Sequence, residues 1–386
     1  MKTIITNYAF VLMVIVSCAT AFAQSQDRII VISGGGAYGA WGAGLCQRLH
    51  DVEKKSYKIA IGTSTGSLMA PLVLREKFDT LKMAYTSVTQ SSIFSVSPFK
   101  SNGDIRPLVA GWRFIFNNSL GETYPLRALI KKWFTQTNHK SLQAQGKELI
   151  VTTANMTDGQ PYYMSSNKFD YDNTDAKFGG KHHNWNSMVN WIWASANEPV
   201  FMSIFKTARF DTATLQQLKD ANGKLTKDVY VWQDGGITQA VSLMEGLKKA
   251  YKSNIYNVDV IVHGTSNSEI DSYDGHGVFT GLKRTISILT HSVKSQNIQA
   301  GILQAEANKA SCATPAQNFT IIIYYMRDDE YKLQPNNNEL VFNTNTMKTL
   351  YEAGFAGKAE VDTIKVPIAT MKGYLEKEEA RRKRRK

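Results

Sequence analysis

A three-layer α/β/α fold on a mostly parallel central sheet is the class this sequence predicts, from three observations. Short apolar runs without polar alternation recur along the chain, as strands covered on both faces require. Helical patterns lie between these runs, and such strand–helix alternation builds parallel sheets with helices on both sides. The 386 residues are 43% hydrophobic and 20% charged, with 27 Gly and 9 Pro, which excludes a disordered or fibrous protein and suits one large domain.

The elements follow in order. Arg28–Ser33 is a β-branched run and the first strand; Gly34 follows it, and a helix is expected from Tyr38 to Val52. Lys58–Ile61 is the second strand, and a Gly-Ser turn leads from it into a helix at Thr65–Arg75. Further strands are expected at Glu148–Thr153, Asp228–Trp232, Val258–Val262 and Phe319–Tyr325, with helices at Thr238–Tyr251 and Val278–Asn308. No internal repeat or linker interrupts residues 28–360, which read as one domain; residues 361–386 read as a C-terminal helix and basic tail.

The N-terminus has the pattern of an export signal. Lys2 gives the positive start, Ala9–Val16 are all apolar, and small residues follow. That core is too short for a membrane span of about 20 residues. Ala21-Phe22-Ala23 offers an ordinary cleavage site, making residues 1–23 the leader. Ile15-Val16-Ser17-Cys18 offers a bacterial lipobox, making residues 1–17 the leader and Cys18 a lipid anchor. The sequence leaves both open. The expected location is a bacterial envelope: periplasm, outer membrane as a lipoprotein, or secreted.

The formal charge is +12, but the last six residues, Arg381–Lys386, supply half of it, so the body is only mildly basic. A nucleic-acid role for this tail conflicts with export; a solvated tail or an anchor to anionic lipid does not. Three cysteines make no disulfide scaffold. Cys46 reads as core, and Cys312 falls in an expected loop. Residues 160–185 are rich in Asn, Asp, Gly, Tyr and His and read as a long surface loop. Asp170, Asp172 and Asp175 fail the calcium-loop pattern, which wants Gly where Asp175 stands and Glu where Lys181 stands. His182-His183 lacks the companion ligands of a zinc site. No metal or cofactor is expected.

The chemistry concentrates in three places. Gly62-Thr63-Ser64-Thr65-Gly66 follows a strand and opens a helix, the context of a nucleophile elbow. Ser64 would sit on a strained turn, Gly62 and Gly66 would spare the neighbouring chain a clash, and the helix N-terminus would favour a developing oxyanion. A helix-capping Ser is the plainer reading of the same residues. Gly34-Gly35-Gly36-Ala37-Tyr38-Gly39 frees backbone N–H groups to form an anion-binding nest. Read literally it is also a dinucleotide fingerprint, but the acid that should end the second strand is absent, and Ser64 stands there instead. Asp234-Gly235-Gly236 follows the strand ending at Trp232, where parallel-sheet enzymes place reactive groups. It is either an ordinary Asp-Gly turn or the base that a nucleophilic Ser needs.

The order of these parts resembles the patatin-like phospholipases: a glycine loop after the first strand, G-x-S-x-G after the second, and a late D-G-[GA]. Ala194–Phe201 is similar to the family's small-residue and proline segment, and Phe342–Gly357 to its closing helix. The resemblance covers about Arg28 to Glu360 and identifies an exported bacterial member. It implies a dyad without histidine, with Ser64 as nucleophile and Asp234 as base, and an oxyanion hole near Gly35, Gly36 and Ala37. The implied reaction is hydrolysis of a lipid or lysolipid acyl ester through an acyl-enzyme. Tyr38 departs from the family, which commonly has Arg or Lys there; any preference for phospholipid over neutral lipid that depends on that cation is put in doubt. Tyr38 packing beside Trp41 is the plainer account.

Two other readings stay open. A Ser-His-Asp hydrolase of another fold would draw its base from His263 or His276, although Ser64 comes too early in the chain for that fold. A lipid-binding module with a vestigial elbow would have no reactive Ser64. Aromatic clusters at Trp112–Phe116 and Trp185–Trp193 read as core or as the wall of an acyl pocket.

Overall fold

The computed structural model describes residues 27–171, 186–211, 229–266, 292–300, 318–335 and 338–367, most of 214–224, and residue 288. Among the described residues, nine strands form one sheet: β1 (Arg28–Ile32), β2 (Ile59–Thr63), β3 (Glu148–Asn155), β4 (Gln160–Ser165), β5 (Phe205–Ala208), β6 (Val229–Asp234), β7 (Asn257–Val262), β8 (Asn318–Tyr325) and β9 (Glu360–Pro367). The pairings β3–β2, β2–β1, β1–β7 and β7–β8 are parallel. Antiparallel strands flank this parallel centre: β4 and β6 on β3, β5 on β6, and β9 on β8.

Alternate side chains of the central strands feed two cores, as a period of two requires. Ile30 and Ile32 of β1 face the larger core, with helices α1 (Gly39–Asp51), α2 (Thr65–Leu74) and α5 (Met188–Ser195) and the C-terminal α8 (Thr344–Ala356). Ile29 and Val31 face the smaller core, which is closed by α7 (Leu243–Ser253) and by Ile298 of the helical residues 292–300. This is the α/β/α arrangement that the apolar runs predict. Asp259 in the middle of β7 is fully buried, and its charge is met by Arg28 at 2.7 and 3.0 Å and by Lys55 at 3.2 Å.

The helices α1 and α8 approach closely through glycine. A Cβ on Gly44 would land on the carbonyl of Tyr351, and one on Gly354 on the carbonyl of Trp41. Either Gly44→Ala or Gly354→Ala is expected to cost about 1–3 kcal/mol, read as a lowered melting temperature with soluble-ester turnover retained at low temperature.

Four expectations need correction. Residues 160–165 are not loop but β4; β3 and β4 form a hairpin whose turn ends on Gly159 at φ 70°. Residues 361–367 are not part of a C-terminal helix but belong to the antiparallel edge strand β9, whose apolar residues are interrupted by Glu360, Asp362 and Lys365, as an edge position tolerates. The sheet therefore runs past 360. The helix expected from Thr238 to Tyr251 is broken into α6 (Gly236–Gln239) and α7. The break has a use: the Ala240 carbonyl takes the Gly34 N–H at 3.2 Å, and the Ser242 hydroxyl meets that of Thr152 at 2.8 Å. Finally, β6 extends to Asp234 and runs against β3, so Asp234 is the last residue of an antiparallel strand instead of following a parallel one. Of the helix expected at 278–308, residues 288 and 292–300 are described and helical. The leader with Cys18, Asp172, Asp175, Lys181, His182, His183, Trp185, His276, Cys312 and the basic tail lie outside the described residues.

Candidate active site

The register of β3 brings the site together. Each strand has two edges. Ile150–Asn155 give one of them to β4 throughout. The other edge belongs to β2 as far as Thr152, which pairs with Thr63, and to β6 from Thr153, which pairs with Asp234. Two strands thus arrive from opposite directions and end on neighbouring residues of β3. Ser64, directly after Thr63, meets Asp234 there.

Ser64 joins β2 to α2 at φ 55° and ψ −125°, a conformation rare for a residue with a side chain. The surroundings hold it in that strained state. A Cβ on Gly62 would strike the Gly66 carbonyl, and one on Gly66 would strike that of Ile32. The Ser64 N–H donates to Ser195 Oγ at 2.9 Å, and Ser195 Oγ donates to the Thr152 carbonyl at 2.7 Å. Ser67 Oγ donates to the Ser64 carbonyl at 2.6 Å. The two glycines predicted for the elbow are where backbone crowding demands them.

Asp234 is buried. Its backbone N–H donates to the Asn197 carbonyl at 3.0 Å, and its Oδ1 accepts the Gly236 N–H at 2.7 Å. A Cβ on Gly235 would meet the Thr152 carbonyl, so glycine at this position lets the chain carrying Asp234 lie close against β3. Burial raises its pKa to about 7; hydrogen bonds from the Ser64 side chain and the Gly236 N–H act in the opposite direction, and the Glu339 charge adds to the rise. A buried carboxyl of this pKa beside a serine side chain can serve as a base near neutral pH.

Opposite Ser64 lies the glycine loop. Gly35 and Gly36 take φ 155° and 50°, which favour glycine. Side chains there would hit His263 and the Glu339 carbonyl. Gly34, Gly35 and Gly36 line the same cavity as Ser64 and Asp234. Ala37 departs from expectation: its N–H donates to the Glu339 carbonyl at 2.8 Å and so does not face the cavity as a spare donor. Tyr38 departs as well. It packs on Tyr331, rings 4.6 Å apart and nearly parallel, with its hydroxyl on the Tyr331 carbonyl at 3.1 Å. Buried in this way, Tyr38 does not present a polar tip to the substrate.

His263 is close in sequence logic but not in space. It is buried behind the glycine loop, Nδ1 on the Ser33 carbonyl at 2.9 Å and Nε2 directed at Gly42 of α1. Because Ser33 O only accepts, Nδ1 carries the proton, and burial drives the imidazole pKa down to about 3. No hydrogen bond links it to Ser64.

The cavity measures about 1090 Å³ including its open mouth. Ser64 and Asp234 stand in a wall that is otherwise mainly apolar: Leu68 and Leu72 of α2, Ile192 of α5, and Leu126, Ile130 and Trp133 of α4 (Tyr124–Trp133). Trp191 and Trp193 are core residues, whereas Trp112 and Phe116 lie on the surface. Among the described residues, no cluster of three or more His, Cys, Asp or Glu could hold a metal. Cys46 is buried, and burial pushes its thiol pKa up. Ser195, Asn197 and Glu339 were not singled out from the sequence. Ser195 and Asn197 sit in the small-residue segment, the one signal that pointed to them; nothing marks Glu339.

Comparisons with known proteins bear on this arrangement. The solved structure of VipD from Legionella pneumophila is similar at 13% identity, covering 89% of this chain and 68% of that one, with a TM-score of 0.31. The type III effector protein ExoU is similar at 14% identity over 72% of this chain, with a TM-score of 0.22; the match spans about half of its length (53%). No curated protein matches. The family model described as patatin-like phospholipase matches residues 30–247, a stretch that holds the glycine loop, Ser64 and Asp234. That is more than half of the chain, and the chain belongs to the patatin-like phospholipase family.

Proposed function

We propose that this protein is an exported lipid acyl hydrolase working through a Ser64–Asp234 dyad and an acyl-enzyme. Asp234 takes the hydroxyl proton as Ser64 Oγ attacks the ester carbonyl. The carbonyl oxygen becomes an oxyanion held by the Gly35 and Gly36 N–H groups and favoured by the N-terminus of α2, each donor contributing about 10²–10³ in rate. The C–O bond to the leaving alcohol breaks, and Asp234 returns the proton to that alcohol. A water then gives its proton to Asp234 and attacks the acyl-enzyme; Ser64 leaves reprotonated and the fatty acid is released. No step needs a metal or cofactor.

The observation that supports this most is the meeting of a strained Ser64 and a buried Asp234, whose carboxyl the Ser64 side chain helps keep ionised, in the wall of one mainly apolar cavity of a volume that can take an acyl chain. A panel of phospholipid, lysophospholipid and neutral lipid tests it. Free fatty acid should appear with at least one lipid class for the native protein and not for Asp234→Asn. The pH profile follows from the raised carboxyl pKa. Since only ionised Asp234 accepts the proton, kcat/KM on a soluble short-chain ester should rise about tenfold per pH unit below about 7 and level off above it. A rate that is flat between pH 5 and 8 counts against Asp234 as base.

Export into a bacterial envelope is part of the proposal, supported by Lys2 and the apolar run Ala9–Val16. Mass spectrometry of the mature N-terminus separates a lipidated Cys18 start from a Gln24 start.

A further inference from the structure

We infer that helix α3 (Pro107–Phe116) is a membrane-docking element that seats the protein on an anionic lipid surface beside the cavity. Its outer face carries Leu108, Trp112, Ile115 and Phe116, which are 88%, 66%, 71% and 64% exposed. Their spacing of four, seven and eight residues puts them on one side of the helix. The rings of Trp112 and Phe116 contact each other, 4.5 Å between centroids, while Ala110 is fully buried on the opposite side. Four large apolar side chains on one short helix form a patch that water disfavours and that marks a binding surface.

Three further observations choose a lipid surface as the occupant. Residues 98–135 hold six Lys or Arg (Lys100, Arg106, Arg113, Arg127, Lys131 and Lys132) against Asp104 and Glu122, a local excess of +4 that complements anionic headgroups. Arg106, at the start of α3, is exposed. The composition of the face, Leu with Trp and Phe, is that of helices lying in the headgroup layer, and ten residues, about 15 Å, are too few to cross it. The position also fits. Leu120, just past the helix, donates its N–H to the Val200 carbonyl at 2.7 Å, two residues from Glu198 and Met202 in the cavity wall, and the next helix, α4, lines the cavity itself. A lipid drawn from a surface on which α3 rests has a short path to Ser64. This docking differs from anchoring by Cys18 or by the basic tail, and it rests on the proposed lipid substrate only for its purpose.

Sedimentation with vesicles tests it on the full chain carrying Ser64→Ala, so that no lipid is consumed. With vesicles of phosphatidylcholine containing about 30% phosphatidylglycerol, the further changes Leu108→Ser, Trp112→Ser and Ile115→Ser together should weaken binding about tenfold or more. Arg106→Glu should weaken it about threefold or more on these vesicles and leave binding to pure phosphatidylcholine unchanged. The same triple change with Ser64 intact should leave soluble-ester turnover unchanged, which also reports that the fold is kept; should that protein not fold, Trp112→Ser alone gives the reading. Equal vesicle binding with and without the apolar face overturns the inference, as does no binding by the parent. A parent dimer that the triple change makes monomeric overturns it too, because the occupant is then a second copy of the chain. Failure of the hydrolase proposal shows separately, as soluble-ester turnover that survives Ser64→Ala.

Discussion

Ser64→Ala should lower kcat/KM on a soluble ester by about 10⁴-fold or more while the protein stays folded, because the nucleophile is lost and only binding and oxyanion contacts remain. The strained backbone adds a second, opposite effect. Ser64 is held at φ 55° and ψ −125° by the crowding of Gly62 against Gly66 and of Gly66 against Ile32. Alanine at this position keeps the strain and glycine removes it. Ser64→Gly should therefore be as inactive as Ser64→Ala yet more stable than it by about 1–2 kcal/mol, after allowance for the extra freedom of glycine in the unfolded chain. Denaturant melts of the two variants measure the difference. Equal stabilities would mean that the elbow stores no strain.

Asp234→Asn should cost about 10³–10⁴ in kcat/KM, since the amide cannot take the Ser64 proton. It should also change stability in a pH-dependent way. The carboxyl is raised by burial from 3.8 to about 7 in the folded protein. Below about pH 4 both folded and unfolded chains hold the proton, and the group is neutral to stability. Between about 4 and 7 the folded chain holds a proton that the unfolded chain has released, so stability falls as pH rises. Above about 7 the whole cost of burying the charge is present. Asparagine has no charge to bury and can still accept from Gly236. The variant should gain on the native protein with rising pH, by a few kcal/mol at pH 8 and nearly nothing at pH 4. Melting temperatures at the two values check this. A difference independent of pH would contradict the burial argument.

Much of this was legible in the chain, for physical reasons that differ by residue. The strands β1 and β2, which end in the glycine loop and at Ser64, pair in parallel and are buried on both faces, so they stand out as unbroken apolar runs, and Gly62 is required by crowding against Gly66 within a few residues of Ser64. Such local requirements leave a local mark. The pairing of Ser64 with Asp234 does not, because it depends on β2 and β6 ending on adjacent residues of β3, far from both in sequence. Motif order marks Asp234 but not its place at the end of an antiparallel strand. The hairpin of β3 and β4 carried a sign, Asp158-Gly159, that was submerged in a polar segment. β9 lies at a sheet edge with Glu360, Asp362 and Lys365 among its apolar residues and lacks the continuous run that marks the other strands. The donation of the Ala37 N–H to Glu339 and the burial of Tyr38 against Tyr331 join residues about 300 positions apart, and no sequence pattern announces them.

The proposed chemistry makes Ser64 the reactive hydroxyl and Asp234 the group that activates it. Treatment with a fluorophosphonate followed by peptide mass mapping tests both at once. A single adduct on the peptide containing Ser64, absent from Ser64→Ala and formed far more slowly by Asp234→Asn, is the predicted result. An adduct at any other residue, or one formed at the native rate by Asp234→Asn, would contradict it.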